Sequence, residues 1–284
     1  MTERFELSPW WVASGFAAVL FELLYPLALG LIARRRLGVG WRFFGYGALI
    51  FFLFQLISRV PLVTVLQGMI APRLQESRLL LFAWLAALSL SAGLFEEGGR
   101  YVGYRWLMRR EEKTWSKAVM YGLGHGGIES MLLVAGMALI SLVNLVVLST
   151  LDLSTLPISG EQRAQLDAQL AAVRALPAWT PLLGAWERLW SVPFHVALSV
   201  IVLQTFRRGG GSGRSAAAWL SLAVAAHTLV NFAAVALPVA LGLKGLAALL
   251  VPEAVIAVAG IAAIWIIFRL RSEETPAARP AAPS

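Results

Sequence analysis

No cysteine occurs among the 284 residues, which excludes disulfides, thiolate metal sites and a cysteine nucleophile. Charge is scarce as well: Asp, Glu, Lys and Arg make up 14% of the chain against 58% apolar residues, and the mean hydropathy is +0.72. Soluble globular domains carry about a quarter charged residues, so a water-soluble protein is excluded. Acidic residues are the fewer, 16 against 24 basic, a formal charge of +8. That excess does not form the interleaved basic face of a nucleic-acid binder. Most Lys and Arg sit in short clusters at the ends of apolar runs, the positive-inside pattern of a multispanning membrane protein. The expected partner is the bilayer, and no nucleic acid.

Apolar stretches of about 20 residues cross the hydrocarbon core as helices, because lipid offers no partner for backbone polar groups. Seven are present, near 10–33, 41–57, 79–107, 117–148, 181–206, 215–241 and 246–268. The expected fold is therefore all-α: a polytopic integral membrane protein with one transmembrane helical domain over 1–271. Its helices should surround an intramembrane polar cavity that opens toward the cytoplasmic leaflet. Met1 to Ser8 is net acidic and leads into an apolar run too long for a cleaved signal, so the first span reads as retained. Between Arg59 and Arg78 an amphipathic segment interrupted by Pro61 and Pro72 reads as interfacial, or as a re-entrant element that would make eight spans. Between Thr150 and Ala178, Leu166, Leu170, Val173 and Leu176 recur at helical spacing, the mark of a short helix on the membrane surface. The glycine-rich "GGGSGR" reads as a flexible loop, and the Pro/Ala-rich tail 272–284 as disordered.

Assigning alternate loops to opposite sides places 15 basic residues on one side, among them Arg34 to Arg36, Arg105, Arg109, Arg110, Arg207, Arg208, Arg214, Arg269 and Arg279. Seven lie opposite: Arg4, Arg59, Arg73, Arg78, Arg163, Arg174 and Lys244. This bias predicts a cell-membrane protein with its N-terminus outside and its C-terminus in the cytoplasm. Arg100 and Arg188 remain inside the membrane.

An ionisable side chain at mid-bilayer is costly enough that each one is a functional hypothesis unless a partner explains it. Here there are many: Glu96, Glu97 and Arg100 in the third span, His125 and Glu129 in the fourth, Glu187, Arg188 and His195 in the fifth, His227 with Asn231 in the sixth. Counted at about 1.5 Å per residue from the basic residue that ends each span, Glu96, His125, His195 and His227 fall in one slab. Glu96 with Arg100, His125 with Glu129, and His227 with Asn231 are each four apart and share a helix face. Paired charges that only fix helix register are the bland reading of such residues. Three histidines at one depth strain that account. Glu22 and Glu253 lie away from this cluster and are left without a role.

A carboxylate beside an imidazole in a low-dielectric pocket can act as general base on water. A histidine with an asparagine one turn away offers donors for an oxyanion. Together they point to a hydrolase. The sequence has no HExxH for a site-2 type metalloprotease, no GxSG on a span for a rhomboid-type serine protease and no intramembrane aspartate for an aspartyl type.

The motifs "FEEGGRY" (Phe95 to Tyr101), "GHGGIE" (Gly124 to Glu129), "ERLWSVPFH" (Glu187 to His195) and "HTLVN" (His227 to Asn231) occur in this order. With them the chain resembles the YhfC-type family of intramembrane proteases, related to the CAAX-prenyl-protease and bacteriocin-processing group. That resemblance implies a glutamic-type intramembrane endopeptidase acting on a membrane-associated peptide or protein. It implies Glu96 as the base, His125 as a holder of the water, and His227 with Asn231 as the oxyanion site. The spacing EExxR, where the larger group has EExxxR, leaves Glu97 as an alternative base and Arg100 as the group that orients the pair. His195 and Glu129 are further candidates. No cofactor is required on this reading, although zinc held by His125, His195 and His227 is a variant, three histidines and several glutamates being a reasonable ligand set. The alternative from another class is a proton-coupled transporter or channel using the same Glu/His cluster.

Overall fold

Residues 5–207 and 213–271 are described by the computed structural model. Arg4, Arg208, Arg279, most of the glycine-rich loop and the 272–284 tail lie outside them. In chain order the helices are α1 (Pro9–Leu37), α2 (Trp41–Glu76), α3 (Arg78–Leu107), α4 (Trp115–Thr150), α5 (Gly160–Arg174), α6 (Leu182–Arg207), α7 (Gly213–Ala240) and α8 (Gly245–Arg269). All but α5 are long and apolar enough to cross a membrane, giving seven candidate spans. Large apolar side chains such as Phe16, Leu24, Ile140, Val258 and Trp265 are more than half exposed on their outer faces, a surface that only lipid covers without penalty.

The segment after Arg59 is not a re-entrant element. Helix α2 continues through it to Glu76, with a π-helical stretch over Phe52–Arg59. Pro61 falls in the first turn of the α-helical stretch that follows, where a missing N–H costs least. Both α2 and α4 have 36 residues, about 54 Å of helix against a core of about 30 Å, so they tilt or project beyond it. The surface helix expected after Thr150 is α5, started by a capping box between Ser159 and Gln162. Its Leu170 is buried with Phe5 and Leu153, and Leu166 and Val173 pack around them.

Helix α6 is the axis of the bundle: 72% of its most apolar stretch is buried, against 33% or less for every other span. Proline inside a helix leaves the carbonyl four residues earlier without its donor, and neighbouring helices supply one here. Pro26 of α1 frees the carbonyl of Glu22, which accepts from Ser130 Oγ of α4 at 2.7 Å. Pro193 of α6 frees that of Leu189, which accepts from Tyr25 Oη of α1 at 3.2 Å. Helices α2 and α4 approach until backbones touch: a Cβ at Gly47 would lie 2.8 Å from His125 N, and one at Gly124 would lie 2.7 Å from Phe44 Cα. At the end of the bundle carrying the basic clusters, Tyr104, Met108, Met120, Tyr121, Leu198 and Leu203 form a fully buried plug. There Trp115 Nε1 donates to Ile267 O at 2.8 Å, joining α4 to α8.

Candidate active site

Of the clustered ionisable residues singled out in the spans, Glu129 and Glu187 are partly exposed and the others are buried in the bundle interior. Glu96, Glu97 and Arg100 come from α3, His125 and Glu129 from α4, His195 from α6 and His227 from α7. Glycines make this convergence possible. A Cβ at Gly126 would lie 3.0 Å from His195 Cβ, one at Gly122 2.6 Å from Val196 Cα, and one at Gly99 2.8 Å from the Phe54 ring. The small residues flanking His125 thus let α4 wedge between α2 and α6 with the imidazole at the interface. The π-helical turn that begins at Glu129 widens α4 where it carries that carboxylate; such turns recur at functional sites.

Glu96 is the hub. Its Oε2 is 3.0 Å from His125 Nε2, 3.7 Å from His195 Nδ1 and 3.8 Å from Arg100 Nη2, and its Oε1 is 3.7 Å from His227 Nε2. Gln55 of α2 donates a short hydrogen bond to Oε1. The second glutamate is turned elsewhere: Glu97 is completely buried, accepts from Arg100, and lies 2.7 Å from His227 Nδ1. One carboxylate therefore faces the three imidazoles, and its neighbour holds Arg100 and one ring nitrogen of His227.

His195 is bound at both nitrogens. Arg100 Nη2 is 2.7 Å from Nδ1, and Glu129 Oε2 is 2.7 Å from Nε2. A guanidinium only donates, so Nδ1 accepts and the ring proton sits on Nε2 toward Glu129. Glu129 is also 3.4 Å from Arg188 Nη1, and Arg188 donates to Glu187. The three imidazoles cluster, with ring centroids 5.5 Å apart for His125 and His195 and 5.6 Å for His195 and His227. Asn231 lies one turn beyond His227 on α7 and is half-buried.

The residues whose ligand atoms come within 4.8 Å of one another are Glu96, His125 and His195, so Glu96 takes the place expected for His227. Zinc bonds of about 2.0 Å in a tetrahedron put ligand atoms about 3.3 Å apart. The separations of 3.0 and 3.7 Å from Glu96 Oε2 to His125 Nε2 and His195 Nδ1 bracket that value. One carboxylate oxygen and two imidazole nitrogens also suit the ion chemically. The set fits a zinc-type metal, provided Arg100 withdraws from His195 Nδ1.

Side-chain exposure rises from 0% at Arg100 through 7% at Glu96 and 17% at Glu129 to 28% at Glu187. That gradient runs away from the basic clusters toward the end where α5 lies, while Tyr104, Met108, Met120 and Tyr121 fill the other end. Among the described residues, bulky aromatic and Met side chains pack tightly at the basic, predicted cytoplasmic end.

Gln55 and Arg59 were not anticipated. Gln55 is buried against Glu96, and Arg59 spans back to Gln55 Oε1 at 3.2 Å, Ser91 Oγ at 3.0 Å and Leu88 O at 2.7 Å. The available signal was a lone glutamine in the apolar run "FFLFQLIS" followed by an arginine one turn later.

A family model described as YhfC intramembrane metalloprotease matches residues 21–256, a range that includes every residue of the site. The uncharacterized membrane protein YhfC of Bacillus subtilis (strain 168) is 32% identical over 195 residues, covering 66% of this chain and 73% of that protein. No solved structure matches.

Proposed function

From the premise that the chain belongs to the YhfC intramembrane metalloprotease family, we propose that it is a peptidase that hydrolyses a peptide bond at Glu96, inside the membrane. The observation that carries this reading is the buried Glu96 carboxylate approached by side chains from four other helices, Gln55, His125, His195 and His227. Glu96, His125 and His195 would hold the metal, which when bound polarises a carbonyl oxygen and makes water a better nucleophile.

The chain's own groups supply the rest. Without a metal, His125 Nε2, 3.0 Å from Glu96 Oε2, positions water beside that oxygen, and the carboxylate takes its proton. Glu97 is a positioning residue: at Nδ1 it orients His227 so that Nε2 faces the reacting carbonyl. His227, when protonated, and the Asn231 amide then donate to the oxyanion as it forms. Arg100 orients both glutamates and His195, and Glu129 holds His195 from the opposite side. A metal-free version, with Glu96 acting solely as base, is favoured by one observation: Arg100 already occupies the His195 Nδ1 lone pair at 2.7 Å. The substrate is a membrane-associated peptide or protein. The basic end is the cytoplasmic one, by the distribution of Lys and Arg.

The test is proteolysis of a library of membrane-anchored peptides by the purified protein in lipid, together with elemental analysis. Glu96→Gln, alone and with Glu97→Gln, abolishes cleavage; retained cleavage refutes the reading. Stoichiometric zinc with loss of activity on chelation assigns Glu96 to the metal. Full activity in metal-free protein assigns it to the base.

A further inference from the structure

Helix α2 meets the site with one defined end of an amide. Gln55, 3% exposed, lies in the π-helical stretch Phe52–Arg59. Its Nε2 donates a short hydrogen bond to Glu96 Oε1, and its Oε1 accepts from Arg59 Nη1 at 3.2 Å. The two ends of a primary amide have nearly the same shape, but one donates and the other accepts. A guanidinium only donates, so Arg59 takes the carbonyl end and leaves the NH2 end for Glu96. Arg59 is itself anchored on α3, the helix that carries Glu96: Nε donates to Ser91 Oγ at 3.0 Å and Nη2 to Leu88 O at 2.7 Å. The rigid planar fork holds all three bonds in one orientation. The two oxygens of Glu96 are thereby divided. Oε1 is held by Gln55, while Oε2 lies 3.0 Å from His125 Nε2 and 3.7 Å from His195 Nδ1.

Resting on the reading of Glu96 as the reacting carboxylate, we infer that Arg59 is a positioning residue for the hydrolysis: by locking the Gln55 amide it commits Oε1 of Glu96 to an internal donor and leaves Oε2 as the oxygen that meets water or metal. Without Arg59 nothing prevents the amide from turning over. Its carbonyl then faces Oε1, two acceptors repel, and the carboxylate rotates away from the register in which Oε2 meets His125. Arg59 acts through Gln55 and not on the substrate, so its effect falls on kcat rather than KM. Partners that orient a reacting group in this way are worth about 10–100-fold in activity.

The test is a double-mutant cycle on the full chain in lipid nanodiscs, with the membrane-anchored library peptide that the wild type cleaves fastest as probe. Arg59→Met lowers kcat about tenfold, with KM changed by less than about twofold. Gln55→Met lowers kcat by a similar factor, and adding Arg59→Met in that background lowers it no further. Arg59→Lys still offers a donor to the Gln55 carbonyl but loses the fork onto α3; it unfolds at lower temperature than wild type and keeps most of kcat. A second readout needs no cleavage. In protein with isotope-labelled glutamine side chains, the NMR signal absent from Gln55→Met shows one amide proton shifted far downfield by the carboxylate, and in Arg59→Met that proton returns to the ordinary range. An amide signal unmoved in Arg59→Met, or a loss confined to KM, overturns the inference. So does a further loss on adding Arg59→Met to Gln55→Met, because Arg59 then acts by its charge or by clamping α2 to α3. An amide signal that moves as expected in a protein that cleaves no peptide leaves the lock on Gln55 standing and counts against the peptidase reading alone.

Discussion

Replacing Gly124 by alanine probes the backbone contact between α2 and α4 and, through it, the site. A methyl group there would fall onto the Phe44 carbonyl, 2.6 Å from its carbon and 2.7 Å from Phe44 Cα. Ordinary contacts begin near 3.4 Å, so α4 must withdraw from α2 by about 1 Å, and overpacking of that kind costs roughly 1–3 kcal/mol. Alanine restores up to about 1 kcal/mol through its higher helix propensity, leaving a net loss of up to about 2 kcal/mol. Gly136→Ala, in the same helix but with nothing within 4 Å of the added carbon, keeps the propensity gain alone. His125 is the next residue after Gly124, so the same shift stretches its 3.0 Å contact with Glu96. A displacement of 1 Å in a catalytic group costs about 100-fold in rate. Thermal unfolding in lipid nanodiscs and turnover of a cleaved peptide measure the two effects. The expected order of stability is Gly136→Ala at or above wild type and Gly124→Ala below it, with activity lost in the latter alone. A Gly124→Ala protein as stable and as active as wild type would show that α2 and α4 do not meet backbone to backbone.

Glu97→Gln leaves the fully buried Arg100 with only the longer, 3.8 Å pairing to Glu96 and destabilises the fold by about 3 kcal/mol, more than Glu96→Gln; equal denaturation midpoints for the two would refute the division between the glutamates. Gln55→Ala removes a buried partner of Glu96 and of Arg59, with an expected loss of about 1–3 kcal/mol and lower turnover; unchanged stability and turnover count against its place in the site. Metal retention, measured by elemental analysis after purification, falls in His125→Ala and His195→Ala and persists in His227→Ala; loss in all three variants alike would restore the three-histidine set. Because the chain has no cysteine, single cysteines report topology: a membrane-impermeant maleimide labels Ser154→Cys on intact cells and Lys113→Cys only after permeabilisation. The opposite pattern reverses the orientation.

Much of the site was readable from residue type and spacing. Glu96, His125, His195 and His227 stood out because an ionisable group in an apolar run has few structural excuses, and the shared depth of the four followed from helix rise. Gln55 escaped because a neutral amide barely lowers the hydropathy of a span. Arg59 escaped because an arginine after an apolar run reads as its end, whereas here α2 continues and the guanidinium reaches back to Ser91 and Leu88. Glu96 and Glu97 could not be told apart in one dimension. Adjacent residues on a helix point about 100° apart, and which of them faces the histidines depends on the rotation of α3 against α4 and α7.

Composition and hydropathy by themselves determined that this chain lives in a membrane, that it is helical, and that seven segments are long and apolar enough to cross. The cost of leaving backbone groups unpaired in lipid is summed along each segment and needs no knowledge of its neighbours. Only the tertiary structure decided the metal-capable set of Glu96, His125 and His195 and the turning of Glu97 toward Arg100 and His227. Those depend on helix rotation, tilt and closest approach. Contacts such as Gly124 on Phe44 and Gly126 on His195 set these through packing between segments far apart in the chain.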